Sequence, residues 1–212
     1  EYFKKAEALC KKFNIHLIDD EVAMGFGRTG KMFAFEHDNI QPDIICLSKG
    51  LTAGYMPFAV TMASEEIYQG FYDDYEKLKT FYHGHSYTGN PIAAAIALEN
   101  LKIFEEEKII ESLPPKIECL KNALEKFKTL PVVGDVRHIG MIGALDIVKN
   151  KETKEAYPFE ERVTMKFYKA ALERGAIIRP IGNMIYFMPP LIITEEEMET
   201  LLNIAYDCLQ TI

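Results

Sequence analysis

Apolar and polar positions recur along this chain with two different periods, and each change of period marks an element. Residues 1–13 set Phe3, Ala6, Leu9, Cys10 and Phe13 at the spacing of one helical face. Two short runs then lose all helical periodicity, one at 15–19 and one at 43–47 (Asp43-Ile44-Ile45-Cys46-Leu47). Uninterrupted apolar runs of this length are how strands buried in a parallel sheet read. Residues 20–42 between them predict a long loop. Phe58–Met62 predicts a third strand, Ser64-Glu65-Glu66-Ile67 opens a short helix, and 73–79 is a polar loop. A longer helix follows to about Glu107. Asn90 can cap it, Pro91 suits its first turn, and Ile92, Ala95, Ile96, Leu98, Leu101, Ile103 and Phe104 supply its apolar side.

Pro114-Pro115 marks a seam, and the pattern divides the chain into domains 1–107 and 108–212. The second reads as a small α+β domain. A helix at 115–128 precedes strands at 132–137 and 141–148, joined through Gly140. Val163, Phe167, Ala170 and Ala171 mark a helix stopped by Gly175, and strands at 176–179 and 185–188 come next. The capping box Thr194-Glu195-Glu196-Glu197 opens a last helix that buries Met198, Leu201, Leu202 and Ala205.

Composition narrows the partners. The 212 residues are 48% hydrophobic, enough for a core, and carry a net charge of −8. That sign argues against nucleic acid and anionic membranes. No apolar run approaches the roughly 18–20 residues of a membrane span, and no signal peptide is expected ahead of the first helix. Cys10, Cys46, Cys119 and Cys208 are scattered without a Cys-x-x-Cys pair, so reduced thiols in a cytoplasmic protein are expected.

The candidate chemistry gathers where the two unbroken runs end. Asp19-Asp20-Glu21 closes the first, and Ser48-Lys49-Gly50 closes the second. Two strands thus deliver the Asp20 carboxylate and the Lys49 amine to one edge, where ligands bind in open α/β sheets. Partial burial of Lys49 would favour the neutral amine that attacks carbonyls. The pairing suits a lysine that condenses with an aldehyde cofactor and an acid that holds a pyridinium; an acid–lysine ion pair with no cofactor suits the spacing equally. Gly25-Phe26-Gly27-Arg28-Thr29-Gly30 fits the dinucleotide fingerprint in letters alone, because its first glycine does not close the strand and its third opens no helix. His83 and His85 could share a metal ion, but no third ligand is in evident reach, so no metal is expected. Arg179 ends an apolar run, where an arginine either reaches solvent or meets an anion.

The stretch Leu17-Ile18-Asp19-Asp20-Glu21-Val22-Ala23-Met24-Gly25-Phe26-Gly27-Arg28-Thr29-Gly30, with Lys49 downstream, resembles the signature of class III pyridoxal-phosphate-dependent aminotransferases. The similarity runs through essentially the whole chain and matches the C-terminal part of that family, so the chain is expected to be a fragment. The resemblance implies an α/β fold of the fold type I (aspartate aminotransferase-like) transferases. Residues 1–107 would be the C-terminal part of the large cofactor-binding domain, and 108–212 the small C-terminal domain. It implies pyridoxal 5'-phosphate held by Lys49, with Asp20 at the ring nitrogen. His85 and Ser86 would reach the cofactor phosphate across a homodimer interface. There His-Ser departs from the Pro-Thr of many relatives, but Ser86 keeps the donor hydroxyl. Arg179 would bind a substrate carboxylate, with Gly84, Tyr186 and Arg28 around the pocket. Within the family the motifs look most like the branch of biotin biosynthesis that aminates 8-amino-7-oxononanoate with S-adenosylmethionine as donor. Other branches, acting on ω-amines or with lysine as donor, are the nearest rivals. A fragment serving only as a dimerisation or binding module is the rival of a different kind.

Overall fold

The computed structural model describes residues 1–212, and the chain divides into two compact units, Glu1–Lys108 and Ile109–Ile212.

In the first unit, helix α1 (Tyr2–Phe13) precedes strands β1 (Ile18–Asp20), β2 (Ile44–Leu47) and β3 (Val60–Ala63). The sheet has the order β1-β2-β3, with β1 parallel and β3 antiparallel to β2. Helix α2 (Glu65–Phe71) and helix α3 (Pro91–Glu106) complete the unit. The predicted strand at 15–19 lies instead at 18–20. Before it, the Leu17 N–H donates to the Asp43 carboxylate at 2.7 Å rather than to a ladder carbonyl, so the ladder starts one residue later.

Nor is the sheet buried on both sides. Ile45, Leu47 and Val60 pack with Phe26, Leu51, Ala97 and Phe104. On the other face Ile44 lines an open groove with Thr61, Ile67, Tyr68 and Phe71. The buried stripe of α3 is Ala93, Ala97 and Asn100, while Ile92, Leu98 and Ile103 face outward. This helix is apolar almost all round at its start, so periodicity could not choose its inner face. Asn90 caps it as expected, its side-chain oxygen accepting from the N–H groups of Ile92 and Ala93.

The second unit is a layer of helices on an antiparallel sheet. Its elements are α4 (Leu113–Phe127), β4 (Val133–Ile139), β5 (Ile142–Asn150), β6 (Glu155–Ala156), α5 (Val163–Glu173), β7 (Pro180–Ile181), β8 (Met184–Phe187) and α6 (Glu195–Leu209). Sheet order is β4-β5-β8-β7, with β6 paired to β5. Pro114-Pro115 marks no seam: both prolines sit in the first turn of α4, where their missing N–H groups cost no helical bond. Alternate residues Leu145 and Ile147 of β5, and Ile185 and Phe187 of β8, enter a core with Leu120, Phe127, Phe167, Met198 and Leu202. Gly143 lets α4 lie close on β5, since a Cβ there would stand 2.6 Å from Leu124. The expected strand at 176–179 is an extended lead-in without ladder bonds, and pairing begins at Pro180.

Candidate active site

The parallel register fixes one edge of the first unit. Asp20 pairs with Cys46, and the Glu21 N–H donates to the Cys46 carbonyl at 3.0 Å. The end of β1 and the exit of β2 therefore lie side by side, with Asp20 on one and Lys49 just beyond the other. Asp20 is exposed, and its Oδ1 accepts the Val22 N–H at 3.0 Å while Oδ2 carries no hydrogen bond.

Lys49 heads a single 3₁₀ turn, Lys49–Thr52, with its backbone in the left-handed region at φ +44°. For a non-glycine residue that conformation costs on the order of 1–3 kcal/mol, which the surroundings must offset. The expected partial burial of Lys49 is not present in this chain. The inner residues of the turn are Leu51 and Thr52, 6% and 1% exposed, and they turn Lys49 outward. Its ammonium makes no hydrogen bond and no ion pair, so the ion-pair reading of Asp20 and Lys49 does not hold here.

The turn is braced from several sides. Ser48 Oγ donates to the Phe58 carbonyl and Thr52 Oγ1 to the Met56 carbonyl, each at 2.7 Å. Phe26, 3% exposed and itself at φ +59°, packs under Gly50, where any Cβ would stand 2.8 Å from that of Phe26. Asn100, reaching over from α3, donates to the Gly50 and Leu51 carbonyls at 2.9 and 3.1 Å. The glycine-rich loop is thus a device for placing Phe26. Beyond Gly30 it continues into a bend and a 3₁₀ turn at Ala34–His37, with no α-helix N-terminus to receive a pyrophosphate.

On the opposite face of β1, Asp19 and Glu21 turn their carboxyl groups toward each other. Glu21 is fully buried, and its Oε1 accepts the Phe35 N–H at 2.9 Å. Its Oε2 and Asp19 Oδ2 are both buried without a hydrogen-bond partner, which a proton shared between the two carboxyls would resolve. Burial first, then the neighbouring charges, pushes both carboxyls above the usual carboxylate range, against the opposing pull of the Phe35 N–H on Glu21.

The other candidate residues fall in two further places. Gly84, His85 and Ser86 lie on an exposed segment braced by Thr88, whose Oγ1 accepts the His85 N–H at 3.0 Å. No hydrogen bond ties them to Asp20 or Lys49. Arg28, in the glycine-rich loop, is partly buried, which pulls its guanidinium pKa below the usual arginine value. In the second unit Ile181 pairs with Met184 and Pro180 with Ile185, and continuing that register sets exposed Arg179 level with Tyr186. No group of three or more His, Cys, Asp or Glu side chains could hold a metal ion. No helix is long and apolar enough to cross a membrane.

The sequence reading missed Asn100, Phe26 and the Asp19–Glu21 pair. Asn100 carried a signal, as the polar member of the stripe Ala93, Ala97, Asn100, Phe104. Asp19 and Glu21 carried one too, two apart at a strand's end and so on one face; Phe26 did not, because nothing local announces that a loop phenylalanine will turn under a glycine a strand away.

The family model for class-III aminotransferases matches residues 1–209. A curated relative, the adenosylmethionine-8-amino-7-oxononanoate aminotransferase of Anoxybacillus flavithermus, is 47% identical over 98% of this chain and 46% of its own length. The crystal structure of the Methanocaldococcus jannaschii protein of that name superposes with a TM-score of 0.95 at 43% identity, covering 99% of this chain and 49% of that one. A rice protein named as a probable gamma-aminobutyrate transaminase is 37% identical over 99% of this chain. The chain thus spans about half the length of the relatives it matches. Class-III aminotransferases work with pyridoxal phosphate. Signature, sheet topology and whole-chain similarity agree, and the chain belongs to the class-III aminotransferase family.

Proposed function

We propose that the protein carrying this chain is an aminotransferase of biotin biosynthesis. It would move an amino group from S-adenosylmethionine to 8-amino-7-oxononanoate, giving 7,8-diaminononanoate. The observation that carries the reading is the meeting of Asp20 and Lys49 at the carboxyl edge of parallel strands, in a chain of this family. The names of the relatives at 43–47% identity support the substrates.

The residues fit pyridoxal phosphate. An unpaired amine on a braced backbone stands at the same edge as a carboxylate with one oxygen unengaged. When bound, that cofactor supplies an electron-poor ring that accepts the electron pair released at the substrate's α-carbon. Lys49 Nζ would hold the cofactor and, with the donor amine bound, would take and return a proton at the donor's α-carbon. The Asp20 carboxylate would keep the cofactor's ring nitrogen protonated. Ser86, with the backbone of His85, would bind the phosphate of the partner subunit's cofactor in a homodimer, which suits the exposure of that segment. Arg179, level with Tyr186, would take the substrate carboxylate with its guanidinium fork, and Gly84 and Arg28 of the first unit are further substrate-binding candidates. In this reading residues 1–107 belong to the large cofactor-binding domain and 108–212 to the small one.

Lys49→Ala is expected to bind the cofactor and to lose turnover by roughly 10²–10⁴-fold. Near-wild-type turnover would overturn the assignment. The substrate is tested separately, by loading the protein with the amine form of the cofactor and adding 8-amino-7-oxononanoate. Return of the visible absorbance supports the biotin branch. Return with an ω-aldehyde instead supports the second reading, an aminotransferase of ω-amines, which the rice relative favours.

A further inference from the structure

We infer that Asn100 is a positioning residue that sets the direction in which Lys49 leaves the backbone. The inference rests on reading Lys49 as the amine that holds the cofactor. Asn100 is 8% exposed and lies on the buried stripe of α3, where every neighbouring position is apolar. A carboxamide there must find partners or lose them to burial. Its Nδ2 finds two, the carbonyls of Gly50 and Leu51, at 2.9 and 3.1 Å. Both acceptors are carbonyl oxygens, so the side chain's orientation follows from chemistry: the nitrogen, and not Oδ1, must face the turn.

These carbonyls belong to the residues immediately after Lys49. The Gly50 carbonyl also accepts the Ala53 N–H at 3.3 Å, and the Leu51 N–H donates to Ser48 at 3.0 Å. No other side chain donates to a carbonyl of this turn. The remaining braces act differently: Phe26 blocks inward movement beneath Gly50, and the Ser48 and Thr52 hydroxyls tie the turn to the segment that leads into β3. None of these side chains bonds the Gly50 or Leu51 carbonyl, and the backbone bonds above engage the Gly50–Leu51 plane alone. The φ of +44° at Lys49 lies just ahead of the Gly50 and Leu51 peptide planes, so holding them fixes the turn that Lys49 heads rather than that torsion directly. Asn100 holds both planes at once from a sixteen-residue helix. Residue 100 therefore acts on the amine without touching it.

The test uses the complete protein with Asn100→Ala, Asn100→Ser and, as a control, Leu101→Ala. Leu101 packs in the same cluster but makes none of these bonds. Hydrogen exchange is read at the Leu51 and Ala53 amides. Capture of pyridoxal phosphate on Lys49 is read as the rate of borohydride-trapped mass at that residue. In Asn100→Ala the two amides are expected to exchange at least tenfold faster, and capture to slow at least tenfold. Asn100→Ser, which keeps one donor, falls between, and Leu101→Ala changes the two amides no more than the rest of the first unit. If Asn100→Ala matches Leu101→Ala in both readings, the inference is overturned while the role of Lys49 stands. If the wild type traps nothing at Lys49, the proposed function fails, and the exchange pattern still decides whether Asn100 holds the turn.

Discussion

The two units use their residues differently. The second closes a core in which Leu113, Leu120, Phe167, Leu145, Ile185 and Met198 are fully buried. The first buries only a small cluster around Phe26, Leu47, Leu51 and Ala97, and leaves Phe3, Leu9, Phe13, Ile15 and Ile18 more than half exposed. Apolar packing stabilises the second unit as a whole, whereas in the first it converges on one turn. The candidate chemistry of Asp20 and Lys49 sits in the less self-sufficient unit. Its local order comes from a few directed bonds and one close contact, not from bulk burial.

Substitutions can break that contrast or sharpen it. The largest expected effect is Phe167→Ala, which removes a fully buried ring and should cost about 3–5 kcal/mol in urea unfolding of the second unit. A cost below about 1 kcal/mol would mean that this core is not what holds the unit. Gly50→Ala comes next, because its Cβ would meet Phe26 at 2.8 Å. A loss of about 1–3 kcal/mol is expected, together with slower cofactor capture. Unchanged capture would show that the Phe26 contact does not shape the edge.

The Asp19–Glu21 pair predicts a pH dependence whose sign follows from its raised carboxyls. A folded state that binds the proton more tightly than the unfolded chain is stabilised at low pH. That contribution is complete below the ordinary carboxylate values of about 4 and is lost as pH rises through the raised folded values. Glu21→Gln should flatten the urea midpoint over that window, and an equally steep slope in this variant would refute the shared proton. The smallest effect belongs to Arg137, whose guanidinium bonds Asp146 at 2.5 and 2.7 Å on the exposed face of the second sheet. There Arg137→Ala should cost at most about 1 kcal/mol, and less in high salt. A larger, salt-independent cost would move that pair into the structural core.

Much of this was legible in the sequence, for reasons that differ by element. Strand β2, the Asn90 cap and the Thr194–Glu197 capping box are local patterns, and all three are present as read. Strand β1 slid toward its C-terminus because Asp43 captures the Leu17 N–H, a partnership between residues far apart in the chain. The run 176–179 alternates inward and outward like a strand, but pairing starts at Pro180, and no local pattern says where a neighbour begins. Lys49 and Asp20 were legible as a pair because register in a parallel ladder follows from the apolar runs. The exposure of Lys49 was not, since it depends on which side of a four-residue turn faces the interior.

The left-handed backbone of Lys49 bears on how such a protein drifts under selection. Glycine would occupy that position with less strain, so thermal tolerance alone would favour discarding the amine. A lineage screened only for heat resistance would be drawn toward a sturdier, chemically silent descendant at this codon. On the role proposed for Lys49, selection for chemistry would oppose that drift.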